Sequence, residues 1–199
     1  MKKLIAILFL FQCANLFAQE SGKGKFDASR LFTGGSVNFG FSSNGVTVGA
    51  SPQLGYSVAS WADLGVVFNI NYNSRRDVYA DGDQVRQTTY GPAVFTRLFP
   101  VKFLFASAQF EYNTTKLKYH PAYGNYYNTD TTFGGPSLLL GVGYAGGRQP
   151  GSNSYYYMSV SWDVMGDENS PYINEYGKSI PIFRVGYNIG LFQNRNRKL

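Results

Sequence analysis

The 199-residue chain has a single cysteine, a single histidine and few charged residues. The cysteine, Cys13, falls within the first 18 residues, so the remainder can form no disulfide and offers no thiolate. One histidine, His120, cannot build a histidine-rich metal centre. Beyond the leader no run of about 18 apolar residues occurs, which excludes a transmembrane helix. The formal net charge is +6; two of the positive residues, Lys2 and Lys3, stand at the start and the others are dispersed. No basic patch points to nucleic acid. What is plentiful is glycine, with 23 residues, and tyrosine and phenylalanine, with 16 each. Such a composition suits strands that face lipid between belts of interfacial aromatic rings.

Met1-Lys2-Lys3 precedes an apolar run from Leu4 to Phe11, and small residues follow near Ala18. This pattern predicts a secretory signal peptide over 1–18, cut after Ala18. Leu16, three residues before the cut, is larger than usual and leaves the exact bond open. The run is too short for a bilayer span of roughly 20 residues. Gln12 is not the small residue that lipidation of Cys13 would want. Residues 19–30 read as a polar periplasmic lead-in, and 193–199 as a basic periplasmic tail.

Between them, apolar and polar residues alternate. From Val46 to Val58 the even positions are Val46, Val48, Ala50, Pro52, Leu54, Tyr56 and Val58, while the odd ones are small or polar. That is a strand with period two. The pattern recurs over about 31–42, 62–73, 85–98, 103–114, 131–145, 154–165 and 180–192. Eight strands with a continuous apolar outer face and charge on the inner one predict an all-β, eight-stranded, antiparallel, up-and-down transmembrane β-barrel over 31–192. Connections three, five and seven are long and polar, and the longest spans Thr115 to Asp130. Long loops outside and short turns in the periplasm place both termini in the periplasm. Pro52, Pro92 and Pro136 fall mid-strand, where a missing N–H predicts bulges or local breaks.

Three segments carry a resemblance: the leader end Phe17-Ala18-Gln19, the stretch Ser51-Pro52-Gln53-Leu54-Gly55-Tyr56, and the closing strand Arg184-x-Gly186-x-x-Ile189-x-Leu191-Phe192. The chain resembles the small eight-stranded outer-membrane β-barrel family of Bacteroidota. The resemblance covers the mature chain and implies a porin-like fold in a Gram-negative outer membrane. It also implies an assembly signal of Gly186, Ile189, Leu191 and Phe192, read by the barrel-assembly machinery during insertion. Seven residues follow Phe192, where many such proteins end on the aromatic. The family has no single activity to transfer.

The inward-facing charges are Asp63, Arg97, Glu111, Asp163 and Arg184. A narrow lumen forces such charges to pair or be hydrated, so they predict a polar plug of ion pairs. A gated ion or proton path is the alternative. Tyr119, Tyr123, Tyr126 and Tyr127 crowd the long loop and suit either capture of an extracellular ligand or an interfacial belt. Trp61, Phe99 and Phe103 read as the lower belt. His120 in the same loop has no serine beside it and no strand carries a histidine, so no catalytic group is assigned. No cofactor or metal site is expected either. Asp81-Gly82-Asp83 and Asp167-Glu168-Asn169 read as polar turns rather than calcium sites.

The expected protein is therefore a non-enzymatic, monomeric outer-membrane barrel embedded in lipid. Its polar lumen is plugged and its outer loops carry a structural or surface-binding role. A small-solute or ion pore is the alternative, for which Gly55, Gly65, Gly141, Gly143, Gly186 and Gly190 would leave space. A lipid-modifying outer-membrane enzyme is the third reading.

Overall fold

A strand with one apolar face must bury that face or give it an apolar solvent, and a sheet leaves no unpaired edge only when it closes. The sheet closes into a ring in the computed structural model, which describes residues 26–42, 45–77, 80–122, 129–149, 152–173 and 177–193. The expected signal peptide, most of the lead-in and the tail beyond Gln193 lie outside the described residues. The strands are β1 (Leu31–Ser42), β2 (Gly45–Ala59), β3 (Ala62–Arg76), β4 (Gln84–Val101), β5 (Leu104–His120), β6 (Thr129–Gly146), β7 (Tyr155–Asp163) and β8 (Ile182–Gly190). They form a closed antiparallel barrel in chain order, with β1 paired to β8.

The alternation sorts as the sequence predicts. Leu64, Val66, Phe68 and Ile70 of β3 face outward, whereas Asp63, Val67 and Asn69 between them are buried. The apolar band on β3 runs from Leu64 to Tyr72. At about 3.3 Å per residue and a tilt near 40°, it spans roughly 20 Å along the barrel axis.

Two expectations need correction, and a third is met in part. The third and fifth connections are shorter than predicted, because β3, β4, β5 and β6 extend well past the apolar band, while the seventh, between Asp163 and Ile182, is longer than the 166–178 predicted. Thr115–His120 belong to β5, paired with Gln84–Thr89 and, through Thr115–Tyr119, with Thr129–Phe133. His120 is thus a strand residue, opposite Gln84. Above the band both faces of a strand meet polar surroundings, so period two disappears from the sequence while the ladder continues.

Of the bulges or local breaks expected at the prolines, local breaks are what the structure shows, without a bulge. Ladder pairing lapses beside Pro52 on the β3 side and beside Pro92 on the β5 side, then resumes in the same register. Pro136 pairs with Tyr112 on one side and lies beyond the end of the β6–β7 ladder on the other.

The inward glycines, finally, do not leave space. Each of four supports an aromatic ring from its cross-strand partner: Phe32 over Gly55, Phe95 over Gly65, Phe105 over Gly143 and Tyr157 over Gly186. A Cβ on Gly55 would lie 2.2 Å from the Phe32 ring. The absence of a side chain on one strand is what lets the ring of the next lie flat across the lumen wall.

Gly55→Val is therefore expected to destabilise the barrel by about 1–3 kcal/mol through overpacking. Phe32→Ala in the same chain should recover part of that loss. Equilibrium urea unfolding in lipid vesicles would read both, and strictly additive effects would show that the ring and the glycine do not interact.

Candidate functional site

The candidate site is the lumen, and all five predicted charges point into it. Asp63 and Glu111 have no exposed surface, Arg97 and Asp163 are buried, and Arg184 is half-buried. The expectation that they pair with one another is not met. Each sits instead in its own set of partners, stacked along the barrel axis.

At the end near the termini, Asp63 accepts hydrogen bonds from Ser57 Oγ at 2.7 Å and Tyr155 Oη at 2.9 Å. Its ion-pair partner is Arg148, whose Nη2 lies 3.2 Å away. Arg148 stands in the turn between β6 and β7, where no periodicity marks it as inward. Its guanidinium lies 3.8 Å from the centre of the Phe99 ring and donates to the Ser60 carbonyl at 2.6 Å. This corrects the assignment of Phe99 to the lower belt. Phe99 is buried among Phe105, Ala145, Tyr155 and Tyr157, while Trp61 and Phe103 do lie outside. Tyr155 and Tyr157 also escaped the sequence reading. The outward Tyr156 and Met158 imply that their odd-numbered neighbours point in, but an aromatic on a lipid-facing barrel is readily assigned to the belt.

The next layer is built on Arg97. Its guanidinium lies 4.2 Å from the Tyr157 ring centre, 4.6 Å from Phe95 and 5.6 Å from Phe105. It donates to Gln53 Oε1 at 2.9 Å and to Tyr155 Oη at 3.3 Å. Gln53 in turn donates to Asn188 Oδ1 across the lumen. Asp63 and Arg97 are cross-strand neighbours, yet Tyr155 bridges them rather than a direct bond. A delocalised cation caged by rings needs less hydration than an ammonium would. The mid-lumen cavity beside it measures about 30 Å³. That holds a water or two but no hydrated ion.

Glu111 anchors the following layer. Its carboxyl oxygens accept from Asn113 Nδ2 at 2.6 Å and from Asn69 Nδ2 and Gln109 Nε2 at 2.7 Å each. Arg184 reaches Gln109 Oε1 at 3.3 Å rather than the carboxylate. Neutral amides thus solvate this acid.

At the far end, Asp163 ties down the connection between β7 and β8. It accepts from Ser170 Oγ at 2.6 Å and from the backbone amides of Met165 and Leu138 at 2.9 and 3.2 Å. Ser170 also bonds Ser137 at 2.9 Å. The connection folds back on itself through Ile180 N donating to Tyr172 O, which sets Tyr172 half-buried in the barrel mouth with its hydroxyl enclosed. Burial pushes the Tyr172 phenol well above its ordinary titration range. Only the polar pattern of this loop is visible in the sequence; its inward fold is not.

The other predicted residues fall elsewhere. Tyr119 lies on β5, paired with Val85 and Thr129, while Tyr123, Tyr126 and Tyr127 lie outside the described residues. Gly186 seats the Tyr157 ring, and Ile189 faces outward on β8. β8 stops at Gly190; Leu191 N still donates to Leu31 O at 2.7 Å, and Phe192 turns away with φ of 58°. The closing segment is therefore shorter as a strand than the 180–192 predicted. Among the described residues no group of three or more histidine, cysteine or acidic side chains is placed to hold a metal.

No protein-family profile and no curated protein matches this sequence. Similar solved structures include two proteins of Neisseria. One is Neisserial surface protein A (NspA), at 13% identity and a TM-score of 0.36, covering 80% of this chain and 95% of that one. The other is the translocator domain of the autotransporter NalP from Neisseria meningitidis, at 9% identity and a TM-score of 0.39, covering 94% and 97%.

Proposed function

We propose that this chain is an integral outer-membrane barrel with a closed lumen, whose role is structural or surface-binding rather than conductive. The observation that carries the reading is the Arg97 layer. A cation wedged among Phe95, Phe105 and Tyr157 leaves about 30 Å³ mid-lumen, and Arg148 and Tyr172 close the two ends separately. Four of the six glycines that would have opened a pore carry rings from the strand opposite. The outward band of Leu64, Val66, Phe68, Ile70, Val94, Val142 and Val185 is too continuous for a water-facing surface, which supports lipid as its solvent. Insertion by the barrel-assembly machinery, through Gly186, Ile189, Leu191 and Phe192, belongs to the same proposal, as does kinship with the small Bacteroidota barrels. So does an extracellular ligand for the outer tyrosines.

Two measurements test it. The outer-membrane fraction, run boiled and unboiled on a gel, should show a faster-migrating unboiled form. In planar bilayers the purified barrel should give no steady single-channel current. Stable current steps would overturn the closed-lumen reading in favour of the pore.

A further inference from the structure

β1 runs to Ser42 and β8 begins at Ile182, yet the ladder between them stops at Val37↔Val185. Above that pair the two strands remain in strand conformation without bonding each other. The facing rings at this gap, Phe39 and Phe183, are each 68% exposed, the most exposed strand aromatics among the described side chains. Behind them opens a cavity of about 330 Å³. Its inner wall is neutral and polar, made by Asn38, Thr47, Asn71, Asn73, Gln87 and Thr89. Its outer lip is apolar, from Phe39, Phe183, Ile180 and two prolines, Pro171 and Pro181. Asn73 is held by Thr47 at 2.9 Å, but the amides of Asn38, Asn71 and Gln87 make no hydrogen bond to another described residue. Two of them converge over Gly49, whose missing side chain makes their room.

This combination is specific. An open strand edge inside an apolar band leaves backbone N–H and C=O groups facing hydrocarbon, which is costly unless something polar covers them. An acyl chain alone cannot do so, and water alone would not need the aromatic lip. We infer that the β1–β8 gap is a lateral binding cleft for an amphiphile of the surrounding membrane. Its uncharged, hydroxyl-rich head group, of glycolipid type, enters between β1 and β8 to bond the amides, while its acyl chain stays outside between Phe39 and Phe183. Side-chain amides pair well with hydroxyls, being donor and acceptor at once. Arg75 at the rim is the one cationic residue lining the cavity. The inference rests on the membrane reading above.

The test uses the full barrel in phosphatidylcholine vesicles, with tryptophan fluorescence quenched by lipids carrying brominated acyl chains. The reporter is Phe183→Trp in a chain with Trp61→Phe and Trp162→Phe. A second chain keeps Trp162, which faces outward on β7, as its sole tryptophan. Quenching of Trp162 by brominated phosphatidylcholine tests the membrane reading alone; its absence would sink that reading and the cleft with it. At the seam, a brominated diglucosyl lipid should quench at least 3-fold more than brominated phosphatidylcholine at equal mole fraction. Trp162 should show no such preference. Asn38→Leu with Asn71→Leu should abolish the preference while the heat-dependent gel shift confirms the fold. Equal quenching by the two lipids overturns the cleft. Stronger quenching by brominated phosphatidylglycerol overturns the uncharged head group. Relief of quenching by millimolar free maltose overturns the membrane source, since a chainless sugar would then suffice.

Discussion

Replacing Glu111 by leucine is expected to lower the unfolding free energy of the barrel by about 3–5 kcal/mol. The acid has no exposed surface and accepts from three amides, Asn69, Gln109 and Asn113. Removing it strands three donors in a wall that holds no bulk water, at about 1–3 kcal/mol for each donor that finds no substitute acceptor. Glu111→Gln keeps the shape and one acceptor but adds two donors to a site already filled with donors. It should recover less than half of the loss. Urea titration of vesicle-inserted protein, followed by tryptophan fluorescence, reads both variants. A Glu111→Leu barrel as stable as the parent would show that the amide cluster is hydrated rather than dry, and that the plug is a looser structure than its hydrogen bonds describe.

The second large effect belongs to Arg97. Arg97→Met and Arg97→Lys should each cost about 2–4 kcal/mol, nearly equally. Methionine fills the volume but leaves Gln53 Oε1 without its donor. Lysine restores the charge but not the flat face that lies against Tyr157 and Phe95. A stacked and forked guanidinium has no substitute in an ammonium, which would also demand more hydration than a 30 Å³ cavity provides. If lysine restores parental stability, charge near Asp63 is what the layer requires and the ring cage is incidental. On the closed-lumen proposal neither variant should conduct, because Arg148 on Phe99 stands at one end of the lumen and the Ser170–Tyr172 segment at the other.

These effects depend on residues the sequence exposes to very different degrees. Asp63, Arg97, Glu111, Asp163 and Arg184 can be read as inward from alternation alone, since each sits at odd spacing from outward valines and leucines on its own strand. Their partners cannot. Arg148 lies in a turn, where no period applies, and reaches Asp63 from 85 residues away. Tyr155 and Tyr157 obey the alternation, but their chemistry argues for the lipid face, so composition and period disagree and the period is right. The glycines misled for a related reason. Spacing shows that Gly55, Gly65, Gly143 and Gly186 face in, but whether the room is empty depends on the residue opposite in the next strand. That is a matter of register.

Period two is a property of one strand and its immediate solvent, so the sequence by itself determined the strand count, the inward and outward faces, and the apolar exterior. Register, closure and the filling of the lumen are properties of strands meeting one another. Tertiary structure alone decided that aromatic rings lie on glycines, that Arg148 rather than a strand residue answers Asp63, and that the β7–β8 connection folds into the mouth. It also decided that the β1–β8 ladder ends at Val37↔Val185, although β8 goes on pairing with β7 as far as Ile182. No local pattern records the point at which two distant ends of a chain stop pairing.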